Sequence, residues 1–124
     1  MRLLLDTHVF LWWRADSRHL QTGARRAIAD AQIVFVSAAT AWEAGIKAAL
    51  GRLHIPDRIE AGVIDSGFEK LPISFPHAEA AAQLPPHHAD PFDRMLVAQA
   101  RAEGLTLVTH DRRLAKYDVE ILWT

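Results

Sequence analysis

Short, almost wholly apolar runs alternate along the chain with longer segments in which apolar residues recur at helical spacing. The clearest runs lie at residues 2–5, 33–36 and 105–109, and weaker ones lie at 70–74 and 119–123. Apolar runs this short are typical of strands that a parallel sheet buries on both faces. Pro72 cannot donate a ladder hydrogen bond, so it favours an edge position for the strand at 70–74.

The helical segments between these runs begin at residues that are good N-caps. Asp6 precedes the first helix, and Ser17, Ser37 and Asp90 precede three of the others. Gly104 is a typical stop for the last long helix. We predict helices at about residues 7–15, 17–31, 37–50, 57–66, 76–84, 91–104 and 111–117.

The order of these elements, β-α-α-β-α-α-β-α-α-β-α-β, predicts a single α/β domain over residues 1–124. It has about five mostly parallel strands flanked by helices, as in an α/β/α sandwich. In such open sheets ligands bind beyond the carboxyl ends of the strands, near the point where the strand order reverses. Residues at those strand ends are therefore the first candidates for a functional site.

Four acidic residues are predicted to converge at that edge. Asp6 and Asp111 follow strands directly, Asp93 lies in the first turn of its helix, and Glu43 lies in the second turn of another. Two carboxylates about 4 Å apart repel by roughly 4 kcal/mol at an effective dielectric constant of about 20. A cluster of four predicts a bound divalent cation, and oxygen ligands favour Mg²⁺ or Mn²⁺.

Each acid taken alone also has a structural explanation. Asp6 and Asp111 are suitable N-caps, and Asp93 is a first-turn acid that the helix dipole favours. Glu43 precedes Lys47 by four residues, the favourable spacing for an ion pair on a helix. These roles are the simpler interpretation for any one acid, but they do not explain why all four are directed to one edge. For Asp90, followed by Pro91, we place capping ahead of metal binding.

Composition excludes several other classes of site. The chain has 124 residues, a net charge of −1 and no cysteine, so disulfides, thiolate zinc sites and cysteine nucleophiles are excluded. No apolar stretch is long enough for a membrane span, and no signal peptide is recognisable, so we expect a cytoplasmic protein without membrane contact. With so little net charge, any surface for nucleic acid has to be a local patch.

Several motifs together resemble the PIN-domain family. They are "LLLDTHVFLWW", "SAATAWE", "HHADPFDRMLVAQA" and "LTLVTHD", and the similarity extends from Leu3 to Trp123. The run at 90–100 is its most specific part. More narrowly, the chain is similar to the VapC-type ribonuclease toxins of bacterial type II toxin–antitoxin systems.

The resemblance implies an endoribonuclease that depends on Mg²⁺ or Mn²⁺ and hydrolyses RNA phosphodiester bonds with a water that the metal activates. It implies a homodimer and a cognate antitoxin as partners. The family's catalytic acids correspond to Asp6, Glu43, Asp93 and Asp111, with Asp6, Asp93 and Asp111 as metal ligands. Glu43 is a candidate to orient the attacking water. Thr7 and Thr109 stand where the family has a supporting hydroxyl or amide.

Substrate contacts are less strongly indicated. Arg94 and Arg112 lie next to predicted site acids, and Trp12 is one of several tryptophans suited to stacking on bases. We predict that the loop with His87 and His88 contacts substrate or solvent rather than metal.

Three alternative functions stay open. One is a PIN-like nuclease that acts on DNA, and another is a non-catalytic binding domain whose acids are structural caps. The third, a phosphoacceptor domain, is disfavoured because it needs an acceptor Asp at the third strand's end, where this chain reads "PISFP".

Overall fold

Five strands form one sheet in the computed structural model, which describes residues 1–124. The strands are β1 (Arg2–Leu5), β2 (Ile33–Ser37), β3 (Glu69–Leu71), β4 (Thr106–Thr109) and β5 (Ile121–Trp123). Their order is β3-β2-β1-β4-β5, and every neighbouring pair is parallel. The predicted strand number and the parallel arrangement are both confirmed.

Helices cover both faces of this sheet. They are α1 (Thr7–Arg14), α2 (Thr22–Asp30), α3 (Ala38–Ala49), α4 (Ile59–Asp65), α5 (Phe75–Gln83) and α6 (Pro91–Glu103), followed by a 3₁₀ helix at Arg112–Lys116. Side chains alternate between the faces of a strand, and accordingly Leu4 packs in one apolar cluster while Leu3 and Leu5 pack in the other. The first cluster includes residues of α5 and α6, and the second includes residues of α1, α2 and α4. The predicted α/β/α sandwich is therefore confirmed. No helix combines the length and the apolar character that crossing a membrane requires.

Two helices begin later than the sequence predicted. Helix α2 starts at Thr22 after Gln21, and Ser17 instead accepts a hydrogen bond from the backbone N–H of His19 at 3.1 Å. Helix α4 starts at Ile59 rather than at Asp57, and the Asp57 carboxylate instead pairs with the Arg14 guanidinium at 3.3 Å. In both segments a capping residue makes a local turn or a tertiary contact before the helix begins.

The strand predicted at 70–74 lies at the edge of the sheet, as expected, but it begins and ends earlier in the chain than predicted. Strand β3 spans Glu69–Leu71 and pairs with β2, with Leu71 opposite Ser37. Pro72 follows the strand instead of lying inside it, because its missing N–H ends the ladder. The last short helix is 3₁₀ rather than α-helical, with Asp111 as its N-cap.

The topology places a crevice between the carboxyl ends of β1 and β4. From β1 the chain proceeds to β2 and β3 on one side and then returns to β4 on the other, so the strand order reverses at β1. The backbone N–H of Asp6 donates to the carbonyl of Val108 at 3.0 Å, which extends the β1–β4 ladder by one residue. Asp6 and Thr109 consequently lie side by side at the position where open α/β sheets bind ligands.

Candidate active site

A cleft of about 140 Å³ opens at this crevice, and no hydrophobic residue lines it. All four predicted acids are among its lining residues. The full set is Asp6, Thr7, His8, Glu43, Lys47, Asp90, Asp93, His110, Asp111 and Arg113. The structure therefore brings together the acids that the sequence predicted to converge.

Asp6 is buried at the end of β1, with 4% of its surface exposed. Its Oδ1 accepts the backbone N–H of Val9 at 2.8 Å, which caps α1, and its Oδ2 accepts the hydroxyl of Thr109. Burial raises the pKa of Asp6 above its ordinary value, although these hydrogen bonds partly offset the effect. The Asp6 carboxylate therefore both caps α1 and lines the cleft.

Asp93 enters the cleft from the first turn of α6. Its Oδ2 lies 2.8 Å from Nε2 of His88. Burial, together with smaller effects of the neighbouring carboxylates of Asp90 and Asp6, raises the pKa of Asp93 to about 6, although the hydrogen bond with His88 partly offsets the rise. Any additional positive charge in the cleft would stabilise the ionised form of this buried carboxyl.

Asp111 lies at the end of β4 and is fixed by Arg113. Its two oxygens accept from Nε and Nη2 of Arg113 at 3.0 and 2.8 Å, and Oδ1 also accepts the backbone N–H of Arg113 at 3.0 Å. The Arg113 guanidinium holds the pKa of Asp111 below its ordinary value. Oδ2 of Asp111 is also 3.4 Å from Nε2 of His88.

Glu43 is buried on the α3 side of the cleft, with 5% of its surface exposed. Its Oε1 accepts the hydroxyl of Thr7 at 2.6 Å, and its Oε2 pairs with the ammonium of Lys47 at 2.7 Å. The predicted ion pair with Lys47 is confirmed, but it lies in the cleft rather than on an exposed helix face. Thr7 in turn contacts the hydroxyl of Thr40 at 3.1 Å.

The two threonines expected to support the site both contact its acids. Thr109 donates its hydroxyl to Asp6 and accepts the backbone N–H of Asp111 at 3.1 Å, so one side chain connects two acids. Thr7 donates to Glu43. Asp90 accepts the backbone N–H groups of Phe92 and Asp93 at 2.8 and 3.1 Å, which confirms it as the cap of α6.

The two arginines predicted as substrate contacts do not line the cleft. Arg94 follows Asp93 in sequence, but one residue turns a helix by about 100°, so its guanidinium faces the other way. It donates to Tyr117 and to the carbonyls of Ala81, Leu84, Pro85 and His88. Arg112 lies over the ring of Trp123, with 4.4 Å between guanidinium carbon and ring centroid. Lys47 and Arg113 are the lysine and arginine that line the cleft.

His88 is the residue that sequence reasoning missed. Its neighbour His87 is exposed, as expected for a loop tip, and packs its ring against Tyr117 at 5.1 Å. His88 is 8% exposed and lies between Asp93 and Asp111. The two histidines are adjacent in an irregular loop, and their side chains point in different directions. No periodic pattern in the sequence indicates which of them points into the protein.

The donor set suits a divalent cation. Ligand atoms of His88, Asp93 and Asp111 lie within 4.8 Å of one another. Asp6 and Asp90 add further carboxylates to the same cleft. Several carboxylates share this cleft, and the pKa values of Asp6 and Asp93 are raised. A bound cation would offset the repulsion between the ionised carboxylates. The oxygens are of the kind that Mg²⁺ and Mn²⁺ bind.

Comparison with known proteins connects this architecture to one family. The PIN domain family model matches residues 3–120. Ribonuclease VapC22 of Mycobacterium tuberculosis is 31% identical over 118 residues, which are 93% of this chain and 91% of that protein.

Solved structures agree with the fold. The fold is similar to that in the crystal structure of VapBC2 from Rickettsia felis bound to a DNA fragment from their promoter, with a TM-score of 0.72, 14% identity and 98% of each chain covered. It is also similar to that in a toxin–antitoxin complex from Klebsiella pneumoniae, with a TM-score of 0.70, 18% identity and 97% and 95% of the two chains covered. Identities this low concern the fold alone.

Proposed function

Because the chain belongs to the PIN-domain family, we propose that it is a metal-dependent endoribonuclease and the toxin of a type II toxin–antitoxin pair. The observation that carries this proposal is the convergence of Asp6, Glu43, Asp93 and Asp111 in one polar cleft at the strand-order reversal. The nuclease domain comprises residues 1–124. The name of the relative from Mycobacterium tuberculosis, a ribonuclease, supports RNA as the substrate.

Asp6, Asp93 and Asp111 would hold Mg²⁺ or Mn²⁺ in this cleft. When bound, the cation supplies positive charge to the phosphodiester and lowers the pKa of a water molecule. The protein's own contribution is to fix the three carboxylates. Thr109 and the N–H of Val9 orient Asp6, and Arg113 orients Asp111 through two parallel hydrogen bonds.

Glu43 is the proposed acid for positioning the attacking water. Thr7 and Lys47 each hold one of its two oxygens, so the carboxylate cannot rotate freely. Each oxygen keeps a second lone pair that can accept an O–H group of a water. In this arrangement Glu43 would orient the water and receive its proton as the water oxygen bonds to phosphorus, while the P–O bond to the leaving ribose oxygen breaks and that oxygen takes a proton from solvent.

RNA contacts are proposed for the cations and aromatic rings beside the acids. Lys47 and Arg113 line the cleft and would contact phosphate oxygens. Trp12 packs near His110, with 4.8 Å between ring centroids, and His110 and His8 also line the cleft. This half-buried ring beside the acids is suited to stacking on a base next to the cleaved phosphodiester bond.

Partners are proposed from the same relationships. Structures with this fold include a toxin–antitoxin complex, which supports a cognate antitoxin for this chain. We also propose a homodimer. A ribonuclease that acts on cellular RNA works where that RNA is, so the proposed location is the cytoplasm.

Cleavage of labelled RNA by the purified protein tests the proposal. We expect cleavage with Mg²⁺ or Mn²⁺, none with EDTA, and a loss of at least about a hundredfold in Asp6→Asn and Asp93→Asn. Asp30→Asn is the matched control, because Asp30 is exposed at the end of α2 and is not among the cleft residues.

Three outcomes would contradict parts of the proposal. Equal cleavage by Asp6→Asn would remove the assigned site, and cleavage of only a DNA strand of the same sequence would reassign the substrate. A protein that cleaves neither and whose melting temperature ignores Mn²⁺ would be a binding domain with structural acids.

A further inference from the structure

We propose that Nε2 of His88 is a nitrogen ligand of the cation that Asp93 and Asp111 hold, and that this ligand biases the site toward Mn²⁺ over Mg²⁺. The inference rests on the proposed function only in placing a divalent cation in the cleft. It adds a residue that lies outside the four acids and changes the chemical class of the donor set.

The distances between the donor atoms match a shared ion. Nε2 of His88 lies 2.8 Å from Oδ2 of Asp93 and 3.4 Å from Oδ2 of Asp111. In an octahedral shell with metal–ligand distances of about 2.1 Å, neighbouring ligand atoms lie about 3 Å apart. The two separations from Nε2 lie on either side of this value, and all three ligand atoms lie within 4.8 Å of one another, so a movement of the two carboxylates toward each other would let one ion contact all three atoms.

The loop that carries His88 is held from behind. The backbone N–H of His88 donates to the hydroxyl of Tyr117 at 3.1 Å, and that hydroxyl donates to the carbonyl of Pro85 at 2.9 Å. The Arg94 guanidinium contacts the carbonyls of Pro85 and His88 at 3.0 and 3.4 Å. These contacts fix the backbone on the far side of the ring, which leaves the ring directed at the carboxylates.

The other histidines near the cleft do not share this placement. His87 is exposed. His110 has 41% of its side chain exposed, and its Nδ1 is 3.9 Å from Oδ2 of Asp6. His88 alone is buried with a ring nitrogen between two carboxylates.

Coordination requires a defined tautomer. Without a cation, Nε2 of His88 shares a hydrogen bond of 2.8 Å with the Asp93 carboxyl, and when that carboxyl is ionised the proton is on Nε2. As a ligand, the neutral imidazole presents the lone pair of Nε2 and carries its proton on Nδ1. The hydrogen bond between His88 and Asp93 is then replaced by one metal bond to each residue.

A nitrogen ligand changes which cation the site favours. Mg²⁺ binds oxygen ligands almost exclusively and gives up its waters reluctantly, whereas imidazole suits transition metals. Mn²⁺ accepts both kinds of donor, so a site of one imidazole and carboxylates discriminates against Mg²⁺.

Pulsed EPR of Mn²⁺ bound to the protein tests the ligand directly. We expect ¹⁴N modulation from a directly bound imidazole in the wild type, replaced by the ¹⁵N pattern when histidine is labelled with ¹⁵N. His88→Gln should lose this signal, and His87→Gln, the adjacent exposed histidine, should keep it. A signal that persists in His88→Gln, or none in the wild type with Mn²⁺ bound, would overturn the inference.

Competition between the two cations gives a second measurement. In His88→Gln the Mn²⁺/Mg²⁺ affinity ratio should fall at least about tenfold, whereas His87→Gln should leave it unchanged. An unchanged ratio in His88→Gln would contradict the preference for Mn²⁺. Failure of the wild type to bind either cation would overturn the proposed function as well, whereas Mn²⁺-dependent RNA cleavage without the nitrogen signal would overturn this inference alone.

Discussion

Carboxylates of the cleft combine two roles because each has two oxygens with two acceptor positions apiece. Asp6 caps α1 with Oδ1 and contacts Thr109 with Oδ2, and Asp111 caps the 3₁₀ helix while it binds Arg113. Structural and metal-binding interpretations of these residues are therefore compatible. Caps also fix the carboxylates before any ion arrives, so less conformational freedom is lost on binding.

At the same scale, Asp93 makes the stability of the metal-free protein depend on pH. Its pKa is about 6 in the folded protein against an ordinary value of 3.8, so the folded state binds the proton more tightly than the unfolded state. The free energy of unfolding should therefore fall as pH rises from about 4 to 6, by at most about 3 kcal/mol. The raised pKa of Asp6 acts in the same direction.

Urea unfolding of wild type and Asp93→Asn with EDTA at several pH values between 4 and 7 measures this effect. Asn carries no titrating proton, so the mutant should lose less stability than the wild type across the window. Parallel pH profiles for the two proteins would contradict the assignment. Asp111, whose pKa is lowered, gives a constant contribution to stability above its ordinary value of 3.8 and loses it only at lower pH, so it does not alter the profile in this window.

At the scale of elements, the predictable parts are those whose pattern is local. Strands β1, β2 and β4 are short apolar runs, and α6 has its cap Asp90 and its stop Gly104 in sequence, so their bounds were predicted closely. The role of Ser17 is not predictable in this way, because serines that cap a helix and serines that close a turn occur in similar local sequences. Which of the two forms depends on packing elsewhere in the chain.

The residues of the candidate site also differ in whether a local pattern predicts them. Asp6 and Asp111 were predictable because strand ends in a parallel sheet lead to one edge. His88 was not, because its direction depends on Tyr117, 29 residues away, and on Arg94. The role of Arg94 does not follow from its place beside Asp93 either, because its helix face directs the guanidinium to the loop.

Arg94 therefore connects α6 to the loop that precedes it, and Arg94→Lys tests that role. A lysine cannot reproduce the planar set of donors that contacts four carbonyls and a hydroxyl. We expect a loss of about 2–3 kcal/mol in the free energy of unfolding, measured in urea, and weaker Mn²⁺ binding. Arg101→Lys, an exposed position on the same helix, should change neither. Full stability in Arg94→Lys would show that these hydrogen bonds do not order the loop.

At the scale of the whole molecule, one surface is unusually apolar. Trp42, Ile46 and Leu50 follow one another at intervals of four residues along and just beyond α3, with 64%, 39% and 61% of their surfaces exposed. Trp42 also contacts the ring of Phe92 from α6, with 5.1 Å between ring centroids. Contiguous exposed apolar residues of this kind mark protein contacts more often than free surface.

The proposed homodimer gives this stripe a function, and light scattering on a sizing column tests it. The wild type should have about twice the 13.9 kDa mass of the chain. Leu50→Glu should give the monomer mass, because a charge buried in an apolar interface has no partner.

Ile64→Glu is the matched control, since Ile64 is also 61% exposed but lies on α4, and it should stay dimeric. A dimeric Leu50→Glu would move the interface to another surface, and a monomeric wild type would remove the homodimer from the proposal. Because the stripe and Glu43 belong to the same helix, loss of the dimer should also loosen the acid proposed to position the water, which slower RNA cleavage by the monomeric variant would detect.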